Sequence, residues 1–512
     1  MARPDPQDRH QDRVLSAPAP GVGARKGSAA DTHKAVRDVD ARGPAGAVPG
    51  ASLALELGAR VAALRFDDLP AAAVHWARIG ILDTIGVTLA GSREEAPRIL
   101  ARTLDLAPGP SLVIGQARRV GSLDAAFING TASHVLDFDD CNNTMGGHPS
   151  APVLSALVPL ADAIGASGRD FLVAYVAGFE VEAKLGLAVN FHHYTKGWHP
   201  TATLGTFGAA AAAARLMGLD AKAAAVALAL GASFAAGIKA NFGTMAKPLH
   251  IGHAARNGLH AARLAAAGFT ANAPSVFEHP QGFLDVFNGA GTYDVQRALD
   301  AWAAPFDIVQ PGIAIKQYPC CGSTHPAIDA MLDVLARRPI ATDDVARVDA
   351  WIHARRLQHT NRPQPGSRLD AKFSLQYVLA RALIHGHVGV DDFEGECYRD
   401  ARVQALLPRI HVAPYDASQF DAANHFGAEV RVTLCDGTVE TGRVEQALGR
   451  TSDHPLPEER LRGKFARCAA AVLREDVVSR LADLIGGVER VADMRELTNL
   501  MMTGAVAQGS LN

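Results

Sequence analysis

The chain of 512 residues is long enough for two or three domains built around a large hydrophobic core. Its hydrophobic fraction of 48% is typical of a soluble globular protein, and its net charge of -3 argues against a general nucleic-acid binder. The six cysteines show neither a CxxC pair nor a zinc-ligand spacing, which favours a reducing cytoplasm over a disulfide framework.

The first 49 residues are rich in Ala, Pro, Gly, Arg and Asp and have no apolar period, so we predict a disordered leader there. They contain no apolar segment of the kind that a signal peptide needs. We also expect no membrane span. The longest apolar run, from Ala223 to Ile238, is too short to cross a bilayer and lies between two lysines.

Residues 50–309 show helical periodicity without the alternation of a parallel sheet, so we predict a helical domain over this range. Ala and Gly are abundant, and small side chains let helices approach closely. Besides a first helix that starts at Leu53, the predicted helices are Ala71–Ala90, Ser122–Leu136, Ser150–Ile164, Phe171–Leu187, Thr203–Leu216, Ala221–Phe234 and Ala254–Ala267.

The pattern changes near residue 310, and residues 310–447 are predicted to form a smaller α+β domain. Val348–His353 alternates like a strand, and two further alternating runs, Ala428–Leu434 and Thr438–Val444, flank an Asp-Gly turn that is typical of a hairpin. Predicted helices at 326–336 and 374–384 complete this domain. Residues 448–512 return to helix, so we predict a mainly α fold whose large helical domain is discontinuous.

A basic cluster lies in the run Gly243–His253 and continues to Arg256. It contains Lys247 and His250 between Ala-rich segments. Burying a cation without a partner is costly, and a bound anion would supply that partner. We therefore predict an active site for a carboxylate here, on a loop pinned by Pro248. The alternatives are a structural salt bridge for the lysine and capping or surface roles for the others.

Two histidines share the pattern Gly-x-His-Pro: His148 and His199. Pro after each His suits the first turn of a helix, and a helix N-terminus favours anions. Histidine can transfer protons near neutral pH, although a structural role is the alternative for each. The nearby Asp137, Asp139 and Asp140 could cap the preceding helix or, together, ligate a hard cation.

The segment Lys316–His325 opens the second domain with further candidates. Cys321 could act as an acid/base thiol, or the segment could be a buried turn; adjacent cysteines such as Cys320 and Cys321 rarely form a disulfide without strain. Tyr377 could donate a hydrogen bond or belong to the core. The chain has no GxGxxG after a strand, Walker A, GxSxG or HExxH motif, so we predict no cofactor and no metal.

Five motifs together resemble the MmgE/PrpD family, which contains 2-methylcitrate dehydratase, cis-aconitate decarboxylase and iminodisuccinate epimerase. They occur in the family's order between about residues 51 and 505, and they are Phe127–Asp140, Gly147–Ser150, Gly197–Thr201, Gly243–His250 and Lys316–Pro319. The resemblance implies a large helical domain with a smaller α+β lid, a homodimer, no cofactor and a small carboxylate substrate.

The resemblance also assigns individual residues. Those that match pocket positions of the decarboxylases are Asp137, His148, His199, Lys247 and Lys316. Tyr377 falls in the place of a pocket tyrosine. The chain departs from the decarboxylases at Cys321 and Cys141, where they have histidine and threonine, and the cysteine after Lys316 and the Gly-His-Pro-Ser loop are nearer to the epimerase pattern.

We therefore expect a lyase that removes water from a small di- or tricarboxylate after abstraction of an α-proton, in the manner of 2-methylcitrate dehydratase. The alternatives are an epimerase with His148 and Cys321 on opposite faces of one carbon, a cis-aconitate-type decarboxylase, and a carboxylate binder without activity. The residues assigned to catalysis are His148, His199, Lys247, Cys321 and Tyr377, and those assigned to substrate binding are Asp137, His250, Lys316 and Arg256.

Overall fold

A computed structural model describes residues 52–421 and 423–505, so the predicted leader of residues 1–49 lies outside the described residues. The mainly α fold is confirmed, because helices dominate and the strands form two small sheets. Within the described residues, no helix is both long and apolar enough to cross a membrane.

Residues 53–300 are mostly helical because they contain long apolar runs, and several of the helices begin after a good N-cap residue. The side chains of Ser52, Ser167 and Asp220 each accept a backbone N–H at the start of a helix. The helices are α1 (Leu53–Ala63), α2 (Ala71–Gly91), α3 (Glu95–Thr103), α4 (Ser122–His134), α5 (Ser150–Ile164), α6 (Gly168–Val189), α7 (His192–Lys196), α8 (Pro200–Thr203), α9 (Gly205–Leu216), α10 (Ala221–Phe234), α11 (Ala246–Ala266) and α12 (Val295–Asp300).

Close approach of α4 and α11 places the end of the first helix beside the start of the second. A Cβ on Gly130 would lie 2.8 Å from the Cα of Gly252, so side chains at these positions would force the helices apart. A second glycine on α11, Gly258, allows the same approach to α9, where a Cβ would lie 2.5 Å from that of Ala209. Small residues therefore fix the position of α11 on two sides.

Two local predictions for this region were wrong. Helix α11 begins at Ala246, eight residues earlier than expected, so Lys247 and Pro248 lie in its first turn and not on a loop. Proline is tolerated there because the first N–H groups of a helix have no partner within it. The region also contains a hairpin, β1 (Pro108–Val113) and β2 (Arg118–Val120), and the two prolines of β1 disfavour a helix there.

A second hydrophobic core lies between residues 318 and 444, around a four-stranded sheet with the order β4-β3-β5-β6. Strand β3 runs parallel to β4 and antiparallel to β5, and the predicted hairpin joins β5 to β6. Strand β4 was not predicted. The elements are α13 (His325–Arg337), β3 (Val345–Ile352), α14 (Ala354–Thr360), α15 (Arg368–Ala371), α16 (Leu375–His385), α17 (Ala401–Leu406), β4 (Ile410–Pro414), β5 (Ala428–Leu434) and β6 (Val439–Val444).

The chain then returns to helix, in α18 (Glu458–Ala470), α19 (Glu475–Gly486) and α20 (Arg495–Thr503). Their apolar side chains belong to the same core as those of α2, α5 and α6. Phe465 packs against α2 at Gly86, where a Cβ would stand 3.0 Å from its ring. The C-terminal helices thus complete the first core after the chain has formed the second.

Candidate active site

Asp137 joins the two parts of the chain through a pair of lysines. Its Oδ1 lies 2.6 Å from Nζ of Lys247 on α11 and 3.1 Å from Nζ of Lys316, which precedes the second core. Lys316 also donates to the carbonyl of Asp137 at 2.7 Å. Burial opposes ionisation of Asp137, but the two lysines outweigh it and hold its pKa well below the usual range.

The backbone of Asp137 is in the left-handed region, with φ of 54°. Residues other than glycine rarely adopt this conformation, and such outliers gather at functional sites. The turn follows α4 and directs two nearby acidic side chains to different partners. Asp137 meets the lysines, whereas Asp139 meets two histidines.

Asp139 holds His134 and His148 together. Its Oδ2 lies 2.7 Å from Nδ1 of His134 and 3.2 Å from Nδ1 of His148. Nε2 of His148 is in turn 3.7 Å from Oδ1 of Asp137, so this imidazole stands between two carboxylates. Burial disfavours its charged form, but Asp139 and the Cys141 thiol outweigh burial and raise the pKa of His148 to about 10.

His134 differs from His148 although both contact the same carboxylate. It is fully buried, and burial lowers its pKa to about 4 despite the pull of Asp139. Its Nε2 has no hydrogen-bond partner among the described residues. His134 is therefore the neutral neighbour that orients Asp139, and His148 is the cation. His148 keeps 12% of its side chain exposed, which leaves it accessible to a ligand.

His199 and His250 form a separate pair beside this cluster. Their Nδ1 atoms lie 3.3 Å apart, so one ring donates and the other accepts. Burial and the charge of Lys247 hold the pKa of His199 well below its usual range. His199 is thus a neutral imidazole, able to accept a proton. Its ring is 5.6 Å from that of His134, which places the pair next to the cluster.

Cys321 lies on the segment that follows Lys316, and its environment differs from that of the adjacent Cys320. Both are free thiols. Burial raises the pKa of Cys321, but a hydrogen bond from His359 and its charge outweigh this and lower it to about 6. Cys320 is fully buried, and burial raises its pKa to about 12. The segment therefore presents one acidic thiol and one inert thiol.

The structure brings most of the predicted site residues together, but not all. Tyr377 is fully buried in the second core, and its hydroxyl donates to the carbonyl of Asp392 and accepts from Nε of Arg381. Arg256 lies on α11 beyond the cluster, with its guanidinium 5.4 Å from the centre of the Phe127 ring. Neither residue contacts the cluster, because tertiary packing commits each to a different neighbour.

Sequence reasoning missed two arginines that border the same segment. Arg356 on α14 donates to Oγ of Ser323 at 3.4 Å, and Arg450 donates to Oδ1 of Asn143 at 2.7 Å. Nothing local in the sequence marks either one among 50 lysines and arginines. The role of Asp139 was also missed, although its position in the motif that contains Asp137 was a signal.

Four side chains of the cluster could hold a metal ion, since one ligand atom from each of His134, Asp137, Asp139 and His148 lies within 4.8 Å of the others. In the structure these donors pair with one another and with lysine. Oδ1 of Asp137 contacts two ammonium groups, and Oδ2 of Asp139 contacts both imidazoles. The donor set thus fits an arrangement of alternating charges better than a cation site, because a metal would displace those contacts.

Comparison with known proteins matches two successive segments of the chain to one family. Residues 56–296 match the MmgE/PrpD N-terminal domain, and residues 318–488 match the MmgE/PrpD C-terminal domain. The chain is 33% identical over 434 residues to a cis-aconitate decarboxylase of Homo sapiens, covering 82% of this chain and 88% of that protein. It is 26% identical over 436 residues to a 2-methylcitrate dehydratase of Cupriavidus necator, covering 79% and 88%. The chain therefore belongs to the MmgE/PrpD family.

Proposed function

We propose that this chain is a lyase that removes CO2 from a small unsaturated tricarboxylate, with cis-aconitate as the first substrate to test. The observation that supports this proposal is the state of His148. An imidazole between two carboxylates, with a pKa raised to about 10, is a proton donor at neutral pH and a poor base. The similarity to cis-aconitate decarboxylases points the same way.

Decarboxylation of cis-aconitate needs such a donor. The bond between the methylene carbon and its carboxylate breaks, and CO2 leaves. The released electron pair forms a new double bond to the central carbon, and the former alkene carbon takes a proton. His148 supplies that proton, and the product is methylenesuccinate. Solvent then reprotonates His148, whose 12% exposure allows access.

The lysines act on the carboxylate that remains attached to the protonated carbon. As the alkene accepts electrons, charge develops on this carboxylate as an enediolate. Lys247 and Lys316 stabilise it, since preorganised cations contribute most where charge develops in the transition state. Asp137 pairs with both lysines before the substrate binds, at 2.6 and 3.1 Å, and offsets one of their two charges in the free protein.

Dehydration of a hydroxy-tricarboxylate is the second candidate, and His199 is the observation that favours it. A neutral imidazole beside Lys247 could remove an α-proton, and His148 could protonate the leaving hydroxyl. This is the reaction that we expected from the sequence, and relatives named 2-methylcitrate dehydratase are consistent with it. It requires two histidines in opposite states, and the structure supports those states.

Proton NMR in deuterated water distinguishes these reactions. With cis-aconitate, we expect methylenesuccinate that carries one deuterium at its saturated CH2 carbon, the former alkene carbon, and none at its =CH2 carbon. His148→Gln should abolish this conversion, whereas His192→Gln, which alters an exposed histidine, should not. Conversion of 2-methylcitrate without turnover of cis-aconitate would replace the first candidate by the second. Exchange of an α-proton without net conversion would favour an epimerase instead.

A further inference from the structure

Arg356 and Arg450 stack on the same aromatic ring. Their guanidinium carbons lie 4.7 and 5.0 Å from the centre of the Phe426 ring. Arg356 comes from α14, Phe426 from the segment before β5 and Arg450 from the segment after β6, so the second core assembles the group from three distant places in the sequence. Two like charges on one ring repel each other, and this arrangement requires a compensating charge.

No carboxylate within residues 52–421 and 423–505 forms an ion pair with either of these arginines. Their side-chain hydrogen-bond acceptors are neutral: the carbonyl of His425, Oγ of Ser323 and Oδ1 of Asn143. Nε of Arg450 is buried and has no hydrogen-bond partner in the same set of residues. Burial and the charge of Arg450 lower the pKa of Arg356 to about 9. The acidic Cys321 thiol acts on both arginines and compensates part of their charge, and an anionic ligand would compensate the rest.

The two arginines face the site already described. The segment Cys321–Ser323 runs between them, with Ser323 bonded to Arg356 and Gly322 next to Arg450. A Cβ on Gly322 would lie 3.5 Å from Nη1 of Arg450 and 3.8 Å from Cε of Lys316, so both cations approach the space over this glycine. A ligand there reaches the lysine site and the arginine pair at once.

We propose that Arg356, Arg450 and Phe426 form an anion subsite that binds a second carboxylate of the substrate, while the first lies at Lys247 and Lys316. The proposal rests on the proposed function, in which two carboxylates remain attached throughout the reaction. Arginine suits this task because its planar fork binds a carboxylate through two parallel hydrogen bonds. The pair therefore selects ligands with at least two carboxylates.

The test compares two inert ligands that differ by one carboxylate: methylsuccinate, the saturated counterpart of the expected product, and butyrate. Calorimetric titration should show methylsuccinate binding to the wild-type protein more tightly than butyrate. Arg356→Gln and Arg450→Gln should weaken methylsuccinate binding on the order of 10- to 100-fold and change butyrate binding less than about threefold. Arg443→Gln is the matched control, because Arg443 also stacks on a ring, Phe420 at 4.1 Å, but is exposed and pairs with Glu445.

Gly322→Ala tests the same subsite with both arginines in place. The added methyl makes ordinary contacts of 3.5 and 3.8 Å, so the protein should fold, yet it occupies the space that the ligand needs. We expect methylsuccinate binding to weaken by on the order of tenfold. If an arginine variant does not fold, this variant decides the question, and unchanged affinity in it overturns the proposal.

Three other results would also overturn the subsite. They are no preference of the wild-type protein for methylsuccinate over butyrate, equal losses for both ligands in the arginine variants, and a loss in Arg443→Gln as large as in Arg450→Gln. Because neither ligand can be decarboxylated or dehydrated, the outcome does not depend on turnover. Arginine-dependent binding without any conversion of cis-aconitate would refute the proposed reaction and leave the subsite standing.

Discussion

Asp139→Asn isolates the charge that keeps His148 protonated. The substitution keeps the shape of the side chain and an oxygen for Nδ1 of His134, but it removes the negative charge that lies 3.2 Å from Nδ1 of His148. Burial, which lowers the pKa of His148, is then no longer offset by the charge of Asp139. We expect the pKa of His148 to fall from about 10 to near its ordinary value of 6.5.

The magnitude follows from two independent estimates. A pKa of about 10 in place of 6.5 stabilises the imidazolium by about 5 kcal/mol, since a tenfold change in proton affinity is worth about 1.4 kcal/mol. A unit charge at 3.2 Å contributes about 5 kcal/mol at an effective dielectric constant of roughly 20. Loss of the Asp139 charge should therefore lower the pKa of His148 by roughly this amount, whereas in the wild-type protein Asp139 and Cys141 together also offset burial.

The assay is the pH dependence of kcat/KM for cis-aconitate. A proton donor is active below its pKa and inactive above it, so wild-type activity should decline only near pH 10, unless another group titrates first. In Asp139→Asn the decline should occur near pH 6.5, with a loss of roughly 30-fold at pH 8 and recovery to within about threefold at pH 5.5.

The matched control is Asp140→Asn. Asp140 is equally buried and adjacent in sequence, but burial raises its pKa well above the usual range, so Asp140→Asn removes less negative charge than Asp139→Asn. Its oxygens accept hydrogen bonds from Ser150. Titration of the histidine ring signals by NMR should show His148 unchanged in this variant. An unchanged alkaline limb in Asp139→Asn, or equal shifts in both variants, would refute the assignment of His148 as the donor.

Three further variants test other parts of the molecule. Lys247→Gln should reduce kcat/KM by about 10²- to 10³-fold. Because Asp137 remains paired with Lys316, the free energy of unfolding should fall by only about 1–3 kcal/mol. Near-normal turnover would contradict the role given to the lysine. Cys321 should react readily with iodoacetamide at pH 7, as followed by mass spectrometry. His359→Gln should slow this reaction about tenfold at pH 7 but not at pH 9.5. Identical pH profiles of the wild-type protein and the variant would contradict the pairing of Cys321 with His359. The Glu182 carboxyl has no hydrogen-bond partner among the described residues, and burial raises its pKa well above 4.5. It therefore ionises first in the unfolded chain, and wild-type stability relative to Glu182→Gln should fall by up to about 1.4 kcal/mol per pH unit above pH 5. Denaturant unfolding at pH 5 and 8 would show no such trend if the carboxyl were ionised in the folded protein.

The sequence predicts the first core and half of the site because the relevant signals are local. Long apolar runs with small residues specify the helices, and short motifs keep Asp137, His148 and Lys247 each within a few residues of a helix end. What a motif cannot specify is the partner. That Asp139 and not Asp140 holds the histidines depends on the left-handed turn at Asp137, which is a property of the folded backbone.

The remainder of the site could not be predicted because the second core assembles it. Arg356 and Arg450 lie on separate segments, and only the sheet brings them to the Phe426 ring. The same packing explains why Tyr377, which stands at a matching place in the sequence, is directed to Arg381 instead of the cluster. Site residues in the second core are thus harder to predict from neighbouring sequence than those at the helix ends of the first core.

The distribution of charge differs between the two cores, and this difference bears on which core binds the substrate and which transfers the proton. In the free protein each cation of the first core has a carboxylate neighbour, since Asp137 contacts both lysines and Asp139 contacts His148. The second core contributes two arginines that no carboxylate within the described residues neutralises. An incoming anion therefore gains most at the arginines, and it must share the lysines with Asp137. If the subsite and the proton donor are as proposed, binding strength comes mainly from the arginines and proton transfer from His148, so substrates could differ at the arginines while the proton donor stays the same.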